Sequence, residues 1–484
     1  MERTPRSPIT GGYKMSTVNV NARGSEAEVV FIEETTAGTT PTTGTVYKLR
    51  HGGEDFDANR PTEFDADIET NGMKQSSVRQ LNTLQGGFNF QPSNGAQNLF
   101  YLSGLQRSAY TTDSYADTVD ITASGDGETA TVTFSGAVSI STIINNGPIK
   151  LAGTASNNAI VRVSAVDDGA GTITLGKVNN EQADFVTESA ASLTATQVYI
   201  KNGGRDVKTF TVEKRLTSIN TDNGNYRLSG ERVGQLNWQV ATGGAITGRC
   251  DMMGIDDAQA NDGIVGPYDW TVTSNTSAGT DTVPIQNGTT DLAAGDVVYI
   301  EGDVSNSQYI VESYSAPNVV FTTNLQEDVT AADKLYITRP ATELGDDQKM
   351  ENNLGYTTID GSRFCITSGN ITANANLTPL NCVGDENAID FNVGDREVTG
   401  TIVPYFSTNI QSIITKIRNG TKFPIVIFMR DRDGNVQALH VPQAEGDKEL
   451  VKIPDDGALQ QNIPFKALKD TTLDTNFIIH VLEA

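Results

Sequence analysis

The chain has few of the side chains on which metal and catalytic centres usually depend. Its 484 residues include three cysteines and three histidines, which are scattered along the sequence. An odd number of scattered cysteines gives no disulfide framework, and none of them is spaced with a histidine for zinc. Motifs for an activated serine, a phosphate-binding loop or a dinucleotide fold are also absent. We therefore predict that the protein is not an enzyme and holds no cofactor.

Positive charge and long apolar runs are scarce as well. Lysine and arginine number 35 against 60 aspartates and glutamates, which gives a net charge of −25. Such a chain repels nucleic-acid phosphates, so it is not expected to wrap DNA. No run approaches the ~18 apolar residues of a membrane helix, and we expect no membrane partner. Residues 1–24 lack the apolar core of a secretory signal and are predicted to form a flexible leader, with Met15 as a candidate natural start.

Short strands dominate what is present. Residues 235–240 alternate between polar and apolar side chains, which is the period of a half-buried strand. Residues 425–429 are apolar on both faces and precede an Asp-Gly turn at 433–434, so they predict a hairpin that returns through 436–441. A further strand is expected at 477–482. Together with many glycine-containing turn pairs, these patterns predict a mainly β fold.

One helix is predicted near the C-terminal end. Four isoleucines recur with helical spacing and form one apolar stripe: Ile410, Ile413, Ile414 and Ile417. Ser407 or Thr408 can cap the start of this helix, and Gly420 can end it. The stripe is expected to pack the helix against a sheet. A weaker helical pattern covers 95–103.

Two stretches, 116–203 and 268–339, look inserted. Both are rich in Thr, Ser, Ala, Asn and Asp and poor in Lys and Arg, and they end in similar strands at 196–200 and 332–337. We predict two copies of one small inserted β module, the alternative being a convergence of composition. Insertion at loop tips would leave a single discontinuous core. Its three segments are 25–115, 204–267 and 340–484.

Residues 51–86 form a polar stretch that is long for a loop inside a compact domain. The stretch mixes apolar side chains with charges of both signs, which suits a surface that becomes ordered on contact with a partner. We predict an assembly interface here, against the alternative of an ordinary mobile loop. The candidate residues are Asp55, Phe56, Asp57, Arg60, Glu63, Phe64, Asp65 and Arg79.

A strand-like segment lies near the N-terminal end, beside the flexible stretch 34–41. A terminal strand with free edges can add to a neighbour's sheet. We predict an assembly arm here, with an ordinary mobile arm as the alternative. Its candidate residues are Val29, Phe31, Glu33 and Glu34.

Three segments resemble the tail tube proteins of long-tailed bacteriophages. They are IEETTAGTTP at 32–41, FTVEK at 210–214, and IDFNVGDREVTGTI at 389–402, which leads into the isoleucine-rich helix. The ending is also similar, with a buried strand, a Gly-Asn turn and FKA at 465–467. These pieces follow the family's order within the three core segments, whereas both inserted stretches and residues 1–14 are unmatched.

The resemblance implies a β-sandwich or barrel core of two packed antiparallel sheets with a flanking helix, and two small β domains inserted on the outside. It implies hexameric rings that stack into a tube through which the genome and the tape measure protein pass. Residues 51–86 would then reach a neighbouring ring. The implied partners are other copies of the chain, the tape measure protein, the tail terminator, and distal tail and baseplate proteins. The implied location is the virion tail, assembled in the host bacterial cytoplasm.

The acidic composition fits such a conduit, because a lumen lined by carboxylates would let double-stranded DNA slide through without specific binding. We therefore expect inward strand positions to favour Asp, Glu, Asn, Gln, Ser and Thr over Lys and Arg. A second hypothesis is a carbohydrate-binding or adhesive surface protein, although two tryptophans are few for that role. A third, a glycan hydrolase or lyase, would need paired carboxylates at a fixed separation, which the sequence does not identify.

Overall fold

A computed structural model describes most of the chain as a β protein. The described residues are 27–41, 44–64, 77–95, 97–136, 138–179, 182–216, 225–260, 264, 270–286, 292, 294, 296–300, 309–338, 341–343, 345–447 and 458–484. Strands hold most of these residues, and two helices occur among them. The predicted fold class, mainly β, is confirmed. The predicted leader, 1–24, lies outside the described residues.

The chain divides into two compact units. The smaller one comprises Met1–Val29, Lys214–Tyr226 and Gln259–Arg339. The larger one comprises Val30–Glu213, Arg227–Ala258 and Pro340–Ala484. The stretch 116–203 therefore belongs to the larger unit and 268–339 to the smaller one. Their description as two inserted modules stays a prediction.

The N-terminal described residues form eight strands and the first helix. These elements are β1 Ala27–Glu33, β2 Tyr47–Lys48, β3 Gly53–Glu54, β4 Asp57–Asn59, β5 Thr62–Phe64, β6 Ser77–Arg79, β7 Thr83–Phe90, β8 Ser93–Gly95 and α1 Gln97–Leu105. In α1, the ring of Phe100 lies 4.7 Å from that of Phe31 and 4.9 Å from those of Phe88 and Phe210. The short helix predicted at 95–103 is thus confirmed, and it lies at the centre of an aromatic core.

The next segment folds into an antiparallel sheet that closes on itself around an apolar core of its own. Its strands are β9 Thr111–Ala123, β10 Thr129–Phe134, β11 Pro148–Ala152, β12 Ala159–Asp167, β13 Thr172–Gly176 and β14 Glu188–Lys201. Along β10 the buried residues Ala130, Val132 and Phe134 alternate with three exposed threonines. This period of two buries one face of the strand and leaves the other in water.

Four strands and a small barrel follow. The four strands are β15 Phe210–Leu216, β16 Asn225–Ala241, β17 Thr247–Gly254 and β18 Asp256–Ala260. The barrel strands are β19 Trp270–Val272, β20 Thr282–Gln286, β21 Val297–Ile300, β22 Tyr309–Ser315, β23 Asn318–Phe321 and β24 Lys334–Thr338. They close in the order β19-β20-β23-β22-β21-β24 around a core that includes Trp270 and Tyr309. Closure of the barrel pairs both edges of every strand.

The C-terminal part contributes the second helix and most of the main sheet. Its elements are β25 Gly345–Lys349, β26 Glu351–Ile359, β27 Ser362–Phe364, β28 Ile366–Asn374, β29 Leu377–Leu380, β30 Asp390–Val393, β31 Glu397–Pro404, α2 Thr408–Arg418, β32 Phe423–Arg430, β33 Val436–Gly446, β34 Ile463–Ala467 and β35 Ile478–Leu482. The predicted hairpin is confirmed, since β32 and β33 pair with Phe428 opposite Ala438. Gly434 turns the chain between them at φ +97°, where a side chain would be strained.

The main sheet is antiparallel and joins strands that are distant in sequence. Its order is β3-β7-β17-β16-β28-β31-β34-β33-β32-β26-β27. On its apolar face one cross-strand row reads Phe90, Gly248, Trp238, Ile371, Gly400 and Phe465. A Cβ added at Gly248 would lie 2.4 Å from the Phe90 ring. The glycines of this row therefore make room for the aromatic rings beside them.

The last strand joins the 111–201 sheet to the main sheet. Strand β35 pairs with β33 along one edge, where His480 lies opposite Ala438. It pairs with β14 along its other edge, where His480 lies opposite Tyr199. One continuous backbone ladder therefore runs from the main sheet into the sheet formed by 111–201.

Helix α2 begins after Ser407 and ends at Arg418, with Asn419 as its C-cap residue and Gly420 directly after it. Ser407 is the N-cap residue but makes no side-chain capping hydrogen bond. At the other end, the Thr421 amide donates to the Lys416 carbonyl at 2.8 Å while Gly420 adopts φ +66°. This is the Schellman arrangement that glycine favours. Of the predicted stripe, the structure buries two isoleucines fully and two partly: Ile410 and Ile413, then Ile414 and Ile417.

Replacing one buried isoleucine of α2 should weaken the fold. We expect Ile413→Ala to lower the free energy of unfolding by about 2 kcal/mol, because it removes buried methyl groups and leaves a cavity. Urea unfolding followed by circular dichroism measures this change. Gln411→Ala, an exposed change in the same turn, is the control and should stay within about 0.5 kcal/mol of the wild type. Equal stability of the two variants would contradict the packing role of the stripe.

A carboxyl group without a partner is buried in the larger unit. Glu231 of β16 has no solvent exposure, and neither of its carboxyl oxygens finds a hydrogen-bond partner among the described residues. Burial raises the pKa of Glu231 to about 8, and the nearby Glu34 carboxyl adds to this rise. Glu34 itself accepts hydrogen bonds from the Gly38 and Gly230 amides at 2.9 Å. Glu231 is therefore protonated at neutral pH.

Candidate assembly surfaces

One face of the main sheet is polar across seven strands. Because side chains alternate along each strand, the residues opposite the apolar face form cross-strand rows of their own. The first row is Asn89, Arg249, Asn237, Thr372, Thr399, Lys466 and Glu445. The two flanking rows are Asp251, Gln235, Asn374 and Glu397, and Thr247, Gln239, Asn370 and Thr401. We call these three rows the polar face.

Amide and hydroxyl groups dominate the polar face, and its charges nearly balance. Its charged residues are three acids and two bases: Asp251, Glu397 and Glu445, with Arg249 and Lys466. The Asn237 side-chain amide donates to the Thr372 hydroxyl at 2.6 Å, between the neighbouring strands β16 and β28. The Arg249 guanidinium donates to Asp251 at 2.6 Å, so part of the charge is neutralised within the face. The result is a wide hydrophilic surface with little net charge.

The predicted loop at 51–86 contains a hairpin that is exposed on both faces. Strands β5 and β6 pair with Phe64 opposite Ser77 and Glu63 opposite Val78. All six residues of the two strands are exposed, and Phe64 is 74% exposed. A two-stranded hairpin that buries neither face is marginal by itself in water. Contact with a partner is the usual way in which such an element becomes stable.

The base of this segment is anchored to the main sheet. The Phe56 side chain is buried, with its ring 6.4 Å from that of Phe88. The Asp55 carboxylate accepts a hydrogen bond from Arg249 at 2.8 Å. The Phe56 side chain therefore packs in the subunit core, and its predicted place in an assembly interface stays a prediction. The pairing of β4 with β7 brings the segment over an apolar face.

The remaining predicted residues of the segment lie in or near the hairpin. Arg60 is exposed and forms an ion pair with Asp257 at 2.8 Å. Asp57 is exposed in β4, and Arg79 is exposed in β6. Asp65 lies outside the described residues. Their role in assembly stays a prediction.

A second exposed apolar loop lies beside the hairpin. Strands β29 and β30 form a hairpin that exposes three apolar residues: Leu380 at the end of β29, and Val383 and Ile389 in the connection. The Asn82 side chain, just after β6, donates to the Asn387 side chain at 2.7 Å, and the Asn82 amide donates to the Glu386 carbonyl. These bonds place the two hairpins side by side. The two loops together expose Phe64, Val78, Leu81, Leu380, Val383 and Ile389, which we call the apolar patch.

The predicted assembly arm lies inside the subunit. Val29 and Phe31 of β1 are buried, and β1 pairs with β2 on one side and β15 on the other. Both edges of β1 are therefore at least partly paired, with β2 opposite Val30 and Phe31 on one side and β15 on the other. Glu33 pairs with Lys208, and Glu34 accepts hydrogen bonds within the fold. Any role of these four residues in assembly stays a prediction.

Neither a metal centre nor a membrane helix is found in the part of the chain that the structure describes. No group of three or more His, Cys, Asp and Glu side chains in it is arranged to hold a metal ion. Its two helices are too short and too polar to cross a membrane. The three cysteines are unpaired, with Cys250 buried and the other two exposed.

The chain matches one family model over most of its length. The model, described as phage tail tube protein, matches residues 24–308 and 318–467. The match thus includes all of 116–203 and most of 268–339, with 309–317 between its two stretches. No curated protein matches the chain.

Proposed function

The chain belongs to the phage tail tube protein family, and on that premise we propose that it forms hexameric rings which stack into the tail tube. Family membership makes it a structural component of the virion tail that associates with copies of itself. The family is structural rather than enzymatic. The hexamer, the stacking and the lumen are proposed here from the surfaces of the subunit.

The observation that carries the proposal is the polar face of the main sheet. A sheet with an apolar face packed on the core and a hydrophilic face of seven strands can line an aqueous channel once copies close into a ring. We propose that this polar face lines the lumen. Its amide and hydroxyl groups offer passing DNA no cluster of positive charge to hold it. The expected preference for Asp, Glu, Asn, Gln, Ser and Thr over Lys and Arg fits the composition of this face. Its three acids and two bases nearly balance, so the acidic lumen expected from the composition of the whole chain stays a prediction.

The apolar patch is the proposed contact between successive rings. Its six side chains are costly to leave in water, and burying them against a neighbouring copy would release that cost. The hairpin of β5 and β6 buries neither face in the subunit, so a neighbouring ring would stabilise it. This assignment agrees with the role that the resemblance implies for 51–86.

Removing the apolar side chains of the hairpin should block tube growth. We expect the double variant Phe64→Ser, Val78→Ser to reduce tube formation at least tenfold, because it removes the apolar contact between rings. Negative-stain electron microscopy and sedimentation of the purified chain measure tube formation. Val186→Ser, an exposed apolar change in the 111–201 sheet, is the control and should form tubes like the wild type. Normal tubes from the double variant would contradict the stacking assignment.

Further partners follow from the position of such a tube in a virion. We propose that the lumen contains the tape measure protein during assembly and passes double-stranded DNA during ejection. The ends of the tube would contact the tail terminator at one side and distal tail and baseplate proteins at the other. Assembly would take place in the host bacterial cytoplasm. The adhesive or carbohydrate-binding alternative is not favoured, since the family match covers most of the chain.

A further inference from the structure

A cleft in the larger unit collects positive charge in a strongly acidic protein. The cleft has a volume of about 770 Å³ and lies between residues 202–207, the connection from β30 to β31, and residues 469–476. Three arginines line it: Arg205, Arg232 and Arg396. With Lys469, the lining holds four cationic side chains against three aspartates, in a chain whose net charge is −25.

Arg232 is a buried cation that lacks a full set of partners. Its side chain belongs to a residue that is 3% exposed, and its Nε atom has no hydrogen-bond partner among the described residues. Burial lowers the pKa of Arg232, the Asp390 carboxylate opposes this change, and the positive charge of Arg396 adds to it. Burying an incompletely paired charge is costly, and an oxyanion in the cleft would remove much of that cost.

Arg396 is held by the fold but keeps one donor free. Its Nη2 atom donates to the Gln106 side chain and to the Gly204 carbonyl. Its Nε atom has no partner in the described part of the chain. Burial lowers the pKa of Arg396, and so do the neighbouring charges of Arg107 and Arg205. The arginines therefore repel one another, and an anion in the cleft would relieve that repulsion.

Carboxylates of the subunit itself do not fully satisfy this cluster. Asp390, Asp395 and Asp474 also line the cleft. Asp474 forms an ion pair with Lys469 at 2.5 Å, so these two charges neutralise each other and not the arginines. Asp390 lies close enough to influence the charge of Arg232 but leaves its Nε atom unpaired. The three arginines thus share the cleft with two carboxylates outside any ion pair of the described residues, Asp390 and Asp395, and Asp390 also accepts a hydrogen bond from the Phe391 amide.

We propose that this cleft is an oxyanion site that binds carboxylate side chains of a second copy of the chain. A guanidinium fork matches a carboxylate with two parallel hydrogen bonds, which gives the contact both strength and orientation. Acidic residues outnumber basic ones by 60 to 35, so a second copy offers such groups in excess. The choice of partner rests on the proposed self-assembly, whereas the oxyanion site itself does not.

The test compares Arg232→Met and Arg205→Gln with the wild type and with Lys422→Gln, which removes an exposed charge elsewhere. Tube formation is followed by sedimentation and electron microscopy, with chloride or citrate at equal ionic strength. We expect citrate to slow wild-type assembly about tenfold, as a competing polycarboxylate. Both cleft variants should assemble about tenfold more slowly in chloride and lose the citrate effect, while Lys422→Gln behaves like the wild type.

Thermal unfolding of the unassembled subunit separates the possible failures. Citrate should raise the unfolding midpoint of the wild type but not of Arg232→Met, and Arg232→Met in chloride should unfold no earlier than the wild type. Citrate stabilisation without any assembly defect would overturn the second copy as the ligand. Absence of both effects would overturn the site, even if wild-type tubes form normally. A wild type that forms no tubes yet shows the citrate shift would instead count against the proposed tube function.

Discussion

Glu231→Gln is expected to stabilise the subunit by roughly 4 kcal/mol at pH 9 and to change little at pH 4. In the folded chain the Glu231 carboxyl keeps its proton up to a pKa of about 8, because it is buried and lies near Glu34. In the unfolded chain the same carboxyl releases its proton above its ordinary pKa of 4.5. Its contribution to stability is therefore complete below pH 4.5 and is lost as the pH rises towards 8.

Urea unfolding at pH 4, 7 and 9 would measure this dependence. The stability of the wild type should fall across the series relative to Glu231→Gln, since glutamine stays neutral at every pH. Glu397→Gln changes an exposed carboxyl on the polar face and serves as the control, with a pH profile like that of the wild type. Parallel profiles for Glu231→Gln and the wild type would show that the buried carboxyl is not held protonated.

Gly87→Ala should destabilise the larger unit by roughly 3 kcal/mol or more, because β7 and β17 approach too closely for a side chain there. Gly87 lies opposite Asp251 in the pairing of β7 with β17. An added Cβ would lie 2.1 Å from the carbonyl oxygen of Cys250 and 3.0 Å from the Cα atom of Asp251. Both are backbone atoms, so the two strands would have to separate locally.

Thermal and urea unfolding of Gly87→Ala would measure the loss. Gly125→Ala makes the same chemical change where no atom lies within 4 Å of the added Cβ, and it should leave stability nearly unchanged. If the Gly87→Ala protein is as stable as the Gly125→Ala protein, the sheet tolerates a side chain at position 87. The close approach of β7 and β17 would then make no contribution to stability.

Local pattern predicted the elements whose residues are neighbours in sequence. The isoleucine period gave the helix that the structure has at Thr408–Arg418, and the Asp-Gly turn gave the hairpin of β32 and β33. The weak pattern near 95–103 did not reveal how central α1 is. The reason is that the aromatic partners of Phe100 come from β1, β7 and β15, and contacts over such distances leave no local signal.

The surfaces were harder to predict for the same reason. Phe64 and Phe56 belong to the same polar stretch, yet Phe64 is exposed whereas Phe56, eight residues earlier, is buried against Phe88. The loop at 380–389 has exposed apolar residues but no periodic pattern, and hydrogen bonds from Asn82 to Asn387 and to the Glu386 carbonyl bring it to the hairpin. Arg396 of the cleft lies more than 150 residues after Arg205 and Arg232, so only the folded chain brings the three arginines together.

The pairing of β14 with β35 determines which segments of this subunit can be deleted without exposing a strand edge. Three residue pairs, from Tyr199 with His480 to Lys201 with Ile478, tie the 111–201 sheet to the chain's final strand. Deleting 116–203 would remove this neighbour of β35 and leave the backbone N–H and C=O groups on that edge unpaired. An exposed strand edge of this kind promotes aggregation. A shortened chain would need a replacement strand or charged side chains along the exposed edge of β35. The strands of the barrel at 270–338, by contrast, are paired with one another in a closed ring.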